Sequence, residues 1–152
     1  MDIISFGKTG LKVSRICFGT MTIGSSQWKP WVLDDAEARP LLEKCLELGI
    51  NFFDTANWYP IGESERVVAS TLISMVPRDQ LVLATKAYYP MRDDPNARGL
   101  SRKHLLESVD ASLRRMQTDY IDLFVIHAFD SQTPIEETME TLNDIVRSGK
   151  VR

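Results

Sequence analysis

The chain has 152 residues, enough for one domain with a sizeable core but fewer than the ~250 of a complete eight-stranded α/β barrel. Its 43% hydrophobic and 26% charged residues are typical of a globular protein in water. A net charge of −3 argues against a nucleic-acid partner, and no apolar run approaches the ~18 residues of a membrane span.

Residues 1–14 are predicted to form a β-hairpin. Apolar and polar side chains alternate over residues 3–14, on both sides of the turn-like segment Gly7-Lys8-Thr9-Gly10. This pattern is typical of two short antiparallel strands joined by a glycine-containing turn.

After the hairpin, the chain repeats a strand followed by a helix four times. Runs rich in Ile, Val, Leu and Phe predict strands at Arg15–Thr20, Ile50–Asp54, Gln80–Lys86 and Ile121–His127. Continuous apolar runs suit strands that are buried on both faces, as in a parallel sheet. Four βα units in succession predict such a sheet with right-handed crossovers, and both a doubly wound open sheet and a barrel fit this order.

The four helices are predicted from apolar residues at helical spacing. Pro40 leaves the start of the first helix open, and Ser101 is a predicted N-cap of the third. Thr133-Pro134-Ile135-Glu136 predicts a capping box for the fourth, and Gly149 a left-handed C-cap. The apolar stripes are Leu41, Leu42, Cys45, Leu46 and Leu48; Val67, Val68, Thr71, Leu72 and Met75; Leu105, Leu106, Val109, Leu113 and Met116; and Ile135, Met139, Leu142 and Val146.

The cysteines and the amino terminus indicate a reducing compartment. Cys17 lies in an apolar strand-like run and Cys45 on a helical stripe, so both are predicted to be buried small side chains rather than a disulfide pair. The first residues lack the basic and apolar segments of a secretory signal. With two histidines, the sequence shows no zinc-ligand spacing. We expect a cytoplasmic protein without a metal site.

Ionisable residues end three of the four predicted strands: Asp54, Lys86 and His127. The first strand ends in Gly19-Thr20-Met21. In a barrel the carboxyl ends of the strands converge on one mouth, where active sites lie, so these positions favour the barrel. Taken singly, the three residues also fit a turn aspartate, a snorkelling lysine and a core histidine. At three successive strand ends they predict one shared site.

Tyr59 is a fourth candidate for this site. It lies in the loop that follows the second strand, Asp54-Thr55-Ala56-Asn57-Trp58-Tyr59, from which it can turn back over the mouth. It is either an ordinary loop aromatic or a proton donor beside a cation.

Together these segments resemble the aldo-keto reductases, and the resemblance covers essentially the whole chain. Its opening, Gly10-Leu11-Lys12-Val13-Ser14, is similar to the branch that holds bacterial aldehyde reductases and potassium-channel β subunits. Pro60 departs from the glycine that commonly follows the tyrosine. The matching stretches are Gly19-Thr20-Met21, Asn51-Phe52-Phe53-Asp54-Thr55-Ala56 with Tyr59, Gly62-Glu63-Ser64-Glu65, Thr85-Lys86, Ser101-Arg102-Lys103-His104, and Asp119-Tyr120-Ile121-Asp122-Leu123 leading to His127.

The resemblance implies a TIM (β/α)8 barrel, of which residues 1–152 are the N-terminal half. The hairpin of residues 1–14 would plug the barrel bottom, and four βα units would follow. The chain is therefore expected to be a fragment of a longer protein, a truncated gene product, or a half-barrel that pairs with a second copy. Open strand edges and an apolar inner face predict self-association.

The resemblance also implies a catalytic tetrad of Asp54, Tyr59, Lys86 and His127. The reaction would be NADPH-dependent reduction of aldehydes and ketones to alcohols, as in alcohol dehydrogenases of the NADP⁺ type. Tyr59 would be the general acid, Lys86 would stabilise its phenolate, and Asp54 would hold Lys86. His127 would orient the carbonyl oxygen.

NADPH, with NADH possible, is expected to lie extended across the mouth, since no Gly-x-Gly-x-x-Gly follows a strand. Gly19, Thr20, Met21 and Asp54 match positions near the nicotinamide. The rest of the cofactor contacts are expected beyond Arg152.

The substrate is expected to be a small carbonyl compound, with no nucleic-acid or membrane partner. His127 and the loop aromatics are candidates for its binding wall, although loop aromatics equally serve packing. A non-enzymatic regulatory or binding subunit on the same scaffold is the alternative, which the intact tetrad disfavours. The aromatics are Trp28, Trp31, Trp58 and Tyr88.

Overall fold

The computed structural model describes all 152 residues and begins with the predicted hairpin. Strands β1 (Ile3–Ser5) and β2 (Lys12–Ser14) pair antiparallel. The backbone N–H of Ser14 donates to the Asn51 side chain at 2.7 Å, just before the second strand of the main sheet. The hairpin therefore lies at the amino end of that sheet. Its role as a barrel plug stays a prediction.

The main sheet has four parallel strands in sequence order, as predicted: β3 (Phe18–Gly19), β4 (Phe52–Asp54), β5 (Val82–Ala87) and β6 (Leu123–Ile126). The strands are shorter than the apolar runs that predicted them. The sheet is open, with β3 and β6 at its edges, so the structure shows part of a barrel rather than a closed one.

The last residues of the chain return beside β6. Ile121 donates its N–H to the Lys150 carbonyl and accepts from the Arg152 N–H, both at 2.9 Å. Val151 consequently forms an isolated parallel bridge with Ile121. This is the pairing expected at the beginning of a further parallel strand.

One α-helix follows each strand of the main sheet: α1 (Asp35–Glu47), α2 (Glu63–Met75), α3 (Arg102–Met116) and α4 (Ile135–Arg147). None of them has the length and apolar character needed to cross a membrane. They share one hydrophobic core with the strands. Its fully buried members include Phe53, Leu83, Val67, Leu72 and Leu105.

Helix α1 tolerates a proline in its interior. It begins at Asp35, so Pro40 is its sixth residue and leaves one helical hydrogen bond unmade. The N-terminus of α1 is fixed by Asp34, whose backbone N–H donates to the Glu37 carboxylate at 3.3 Å. The predicted apolar stripe is only partly correct. Leu42 is buried as expected, but Leu41 and Leu48 are exposed.

The structure contradicts the predicted core face of α4. Ile135, Met139 and Val146 are 59%, 57% and 47% exposed. The buried residues of this helix are Thr138, Thr141 and Ile145, each of which lies one position before a residue of the predicted stripe. Leu142, the remaining member of the stripe, is partly buried against the core. Thr138 explains part of this orientation, since its hydroxyl donates to the carbonyl of Leu100 at 3.3 Å.

The predictions on helix capping are confirmed at the start of α3 and at the end of α4, and are wrong at the start of α4. The Ser101 hydroxyl accepts from the His104 N–H, which confirms the N-cap of α3. Gly149 has φ of +79°, as predicted for the residue after α4. The capping box of α4 is wrong: Pro134 occupies the N-cap position, and the Thr133 hydroxyl donates to Asp130 at 2.8 Å.

Candidate active site

Three residues of the predicted tetrad lie at the carboxyl end of the sheet. Asp54 is the last residue of β4, Lys86 the fifth of six in β5, and His127 directly follows β6. The His127 N–H donates to the Ala87 carbonyl at 3.0 Å, which continues the strand pairing and fixes the position of the histidine. The parallel register thus brings together residues that are far apart in the chain.

Lys86 is held by two acceptors. Its Nζ donates to Asp54 Oδ2 at 2.5 Å and to the Thr55 carbonyl at 2.9 Å. The lysine side chain is 14% exposed and the aspartate 31%. A partly buried ion pair of this kind places one fixed positive charge at the mouth, which rules out a freely snorkelling lysine.

Tyr59 completes the group. Its ring centroid lies 5.0 Å from Lys86 Nζ and 5.6 Å from the His127 ring, which is nearly perpendicular to it. The four side chains that the sequence singled out therefore meet in one place. Their catalytic roles stay predictions.

The loop that carries Tyr59 is pinned to β5. Asn57 donates its N–H to the Lys86 carbonyl at 3.0 Å, and Tyr59 donates its own to Ala56 at 3.1 Å. Thr55 adds a bond to the carbonyl of Ala84 at 2.9 Å. The loop backbone is consequently built on the strand that supplies the lysine.

Pro60 is accommodated by a glycine on a neighbouring loop. A Cβ on Gly24 would lie 2.6 Å from the Pro60 ring, so only glycine fits there. Ile61 then adopts φ of +54°, a conformation that β-branched residues rarely take. The unusual backbone conformation at Ile61 thus follows directly after Tyr59 and Pro60.

The surroundings of His127 lower its pKa and so favour the neutral imidazole. Burial lowers its pKa, the positive charge of Lys86 lowers it further, and the Asp54 carboxylate opposes them. The Nδ1 atom is buried and has no hydrogen-bond partner. A neutral ring carries one N–H, which can donate to a carbonyl oxygen.

We expect an NMR titration of the histidine rings to give His127 a pKa below its ordinary value. Lys86→Met should raise this pKa, because it removes a positive charge that disfavours the imidazolium. His104 is an internal control: burial lowers its pKa too, but Lys86 is not among the causes. An unchanged His127 midpoint in Lys86→Met would contradict the electrostatic coupling.

The residues predicted to contact the nicotinamide divide into two kinds. Gly19 and Met21 are exposed beside Asp54, so a ligand can reach them. Thr20 is fully buried, and its hydroxyl lies 3.1 Å from the Asp54 carbonyl oxygen and 3.0 Å from Ser64 Oγ. The Thr20 side chain therefore supports the backbone of Asp54, and the place of this residue near the nicotinamide stays a prediction.

The three tryptophans of the predicted wall lie in one row, which Tyr89 continues. Their role in substrate binding stays a prediction. Neighbouring ring centroids lie 5.8 Å apart for Trp31 and Trp28, 5.4 Å for Trp28 and Trp58, and 5.0 Å for Trp58 and Tyr89. Tyr89 lies 4.9 Å from the ring of His127. The row of rings therefore runs from the loop after β3 to the tetrad.

Tyr89 replaces Tyr88 as the tyrosine next to the tetrad. Alternation along a strand places Tyr88 on the same side as Lys86. The strand ends at Ala87, however, and the alternation ends with it. Tyr88 instead packs against the hydrophobic core and touches Tyr89 at 5.3 Å.

A cleft of about 590 Å³ opens beside Tyr88 and Tyr89. It lies between the loop that precedes α3 and the loop that precedes α4, and its polar wall includes Asn96, Arg98 and Gln132. Its volume is in the range of small-molecule sites.

Comparison with known proteins identifies the family. Residues 15–152 match the model of the Aldo/keto reductase family. Aldo-keto reductase dtxS3 of Metarhizium robertsii is 43% identical, over 100% of this chain and 47% of its own length. The versiconal hemiacetal acetate reductase of Aspergillus parasiticus is 41% identical over 100% and 49%, and aldo-keto reductase YhdN of Bacillus subtilis 37% over 100% and 45%.

The chain therefore belongs to the aldo/keto reductase family. It spans about half the length of the relatives it matches. Family membership implies a TIM barrel, and the structure shows four of its strand–helix units.

Proposed function

We propose that the protein reduces aldehydes or ketones to alcohols with NADPH, NADH being the other possible donor. Membership of the family indicates an oxidoreductase that uses a nicotinamide cofactor. The observation that carries the proposal is the Lys86–Asp54 ion pair beneath the ring of Tyr59, beside a neutral His127. A regulatory subunit without catalysis would not require this arrangement.

We propose one role for each of the four side chains. When bound, the nicotinamide cofactor would supply the hydride. Tyr59 donates the proton to the carbonyl oxygen, and the charge of Lys86 stabilises the phenolate that is left behind. Asp54 keeps the ammonium group in place, while the N–H of His127 orients the carbonyl oxygen.

The row of aromatic rings favours an aromatic or extended apolar carbonyl substrate. Trp28, Trp58 and Tyr89 lead directly to His127. Flat apolar side chains of this kind bind flat apolar ligands with little loss of rotamer freedom. Gly19 and Met21 are exposed and Gly19 pairs with Asp54, so these three residues are available to the nicotinamide.

We further propose that residues 1–152 alone are not a competent enzyme. The tetrad is complete, but four strands do not enclose the mouth, and the remaining cofactor contacts are expected outside this segment. Exposed apolar residues near the β6 edge, Ile126 and Phe129, favour self-association in this form.

The test is NADPH titration by fluorescence, NADPH oxidation with aromatic aldehydes, and light scattering. All three are made on the 152-residue chain and on any longer form. We expect the longer form to oxidise NADPH and the 152-residue chain to form oligomers without turnover. A longer form that binds NADPH without oxidising it would contradict the enzymatic proposal and favour a regulatory subunit. Micromolar NADPH affinity in a monomer of 152 residues would contradict the proposed incompetence, whereas tight binding in a dimer would indicate two half-barrels closing into one.

A further inference from the structure

A small polar cavity lies behind the tetrad, next to α3, and we call it the α3 cavity. Its volume is about 110 Å³, and polar or charged residues make up most of its wall. It is formed between the loop that carries Tyr59, the loop that precedes α3, and α3 itself. The polar and charged lining residues are Asn57, Arg92, His104, Glu107, Ser108 and Arg115.

The side chain of Asn57 has no partner in the protein. The residue is 1% exposed, and both its amide nitrogen and its amide oxygen are buried without a hydrogen bond. Buried polar atoms almost always bind protein or ordered water. Because Asn57 lines the α3 cavity, the missing partners must come from there.

The charges around the cavity are already paired. Arg115 is bonded to the fully buried Glu65, and Glu107 to Lys103. Arg92 donates to the carboxylate of Asp94 at 3.0 Å. A small anion or cation would therefore find no unpaired charge to bind.

The ligand that fits is neutral and both donates and accepts hydrogen bonds. The Asn57 amide needs an acceptor for its N–H groups and a donor for its oxygen. The hydroxyl of Ser108, 3.3 Å from His104 Nε2, offers either role. One water molecule occupies about 30 Å³ in the liquid, so a cavity of about 110 Å³ has room for a few.

We propose that the α3 cavity holds ordered water that links the Asn57 amide to α3, and that Asn57 thereby acts as a positioning residue for Tyr59. Asn57 already bonds the Lys86 carbonyl through its backbone, two residues before the tyrosine. The kinetic part of this inference rests on the proposed function, whereas the water itself does not.

The far end of the Tyr59 loop also contacts α3. Gly62 has φ of +90°, and the side chain of Arg115 leaves no room there for a Cβ. Arg115 in turn binds Glu65, which accepts from the Thr85 hydroxyl at 2.6 Å, next to Lys86. A loop supported by α3 at both ends holds its tyrosine at a fixed distance from the lysine.

The water is tested by NMR on the ¹⁵N-labelled protein, in its longer form if the 152-residue chain forms oligomers. We expect the side-chain NH₂ signals of Asn57 to show cross-peaks with long-lived water that do not arise from proton exchange. The chemical shifts of these signals should not change as chloride is added. Absence of such cross-peaks would overturn the proposal. Shifts that saturate with chloride would overturn it too, since the cavity would then be an anion site.

The positioning role is tested on the form of the protein that reduces carbonyls. Asn57→Leu should lower kcat by roughly 10-fold to 10²-fold and displace its pH profile, with the KM for NADPH little changed, because small displacements of reacting groups have effects of this size. Asn57→Ser should retain most of the activity, since a hydroxyl still binds water. The matched control is Asn143→Leu, the same substitution at an exposed asparagine of α4.

Equal kcat and pH profiles in Asn57→Leu and Asn143→Leu would overturn the positioning role. If Asn57→Leu does not fold, the positioning role is judged from Asn57→Ser. A pH profile like that of the wild type supports the role. A profile displaced as far as that of Tyr59→Phe, which lacks the proton donor, overturns it. If the wild type shows no carbonyl reduction, the proposed function fails, while the NMR result still decides whether the α3 cavity holds water.

Discussion

Tyr59→Phe should lower kcat for aldehyde reduction at least ~10²-fold, the low end of the contribution of general acid catalysis. The substitution removes the hydroxyl and keeps the ring, whose contacts with Lys86 and His127 stabilise the arrangement of the mouth. The affinity for NADPH should change little, because the phenol acts on the carbonyl oxygen. Steady-state kinetics combined with a cofactor titration measure both quantities.

Tyr89→Phe is the matched control for this experiment. Tyr89 also touches the ring of His127, at 4.9 Å, but it does not contact Lys86. Loss of its hydroxyl should leave kcat within a few-fold of the wild type. Similar losses in Tyr89→Phe and Tyr59→Phe, or near-normal turnover in the latter, would contradict the assignment of Tyr59 as the proton donor.

The positions of three tetrad residues could be predicted because they depend on strand ends. Continuous apolar runs identify buried parallel strands, and the residue that ends each run lies at the mouth of the barrel. Asp54, Lys86 and His127 needed no other information, and the register of β4, β5 and β6 brings them together. The hairpin likewise follows from alternation around a glycine-rich turn.

Features that depend on packing were beyond this reasoning. Helix α4 carries an apolar stripe, yet its buried face holds Thr138, Thr141 and Ile145. Spacing alone does not say which side of a helix faces the core when two sides are available. Tyr89 was missed for a related reason, because a place in a loop does not say which of two adjacent tyrosines turns towards the tetrad.

Buried polar contacts are the third kind of feature that the sequence did not reveal. Thr20 was expected to face the cofactor, but its hydroxyl is enclosed between Asp54 and Ser64. Asn57 gave no signal at all, since an asparagine in a loop is ordinary. Only the three-dimensional structure shows that its amide is buried and unpartnered.

Lys86→Met should shift the pH–rate profile rather than only scale it. The ammonium group lies 5.0 Å from the Tyr59 ring centroid, where its positive charge stabilises the anion that proton donation leaves on the phenol. Without that charge, carbonyl reduction should slow and should respond to pH differently from the wild type. Alcohol oxidation, which needs the phenolate, should weaken as well.

Asp54→Asn separates the charge of Lys86 from its placement. The amide keeps an oxygen that can accept from Nζ, while the Thr55 carbonyl continues to hold the lysine at 2.9 Å. The ammonium group should therefore stay beside Tyr59, so the pH–rate profile should change much less than in Lys86→Met, although kcat falls. A Lys86→Met profile that superimposes on the wild type, with normal activity, would show that the lysine is paired with Asp54 for structure alone. The proton donor would then have to work without a neighbouring cation.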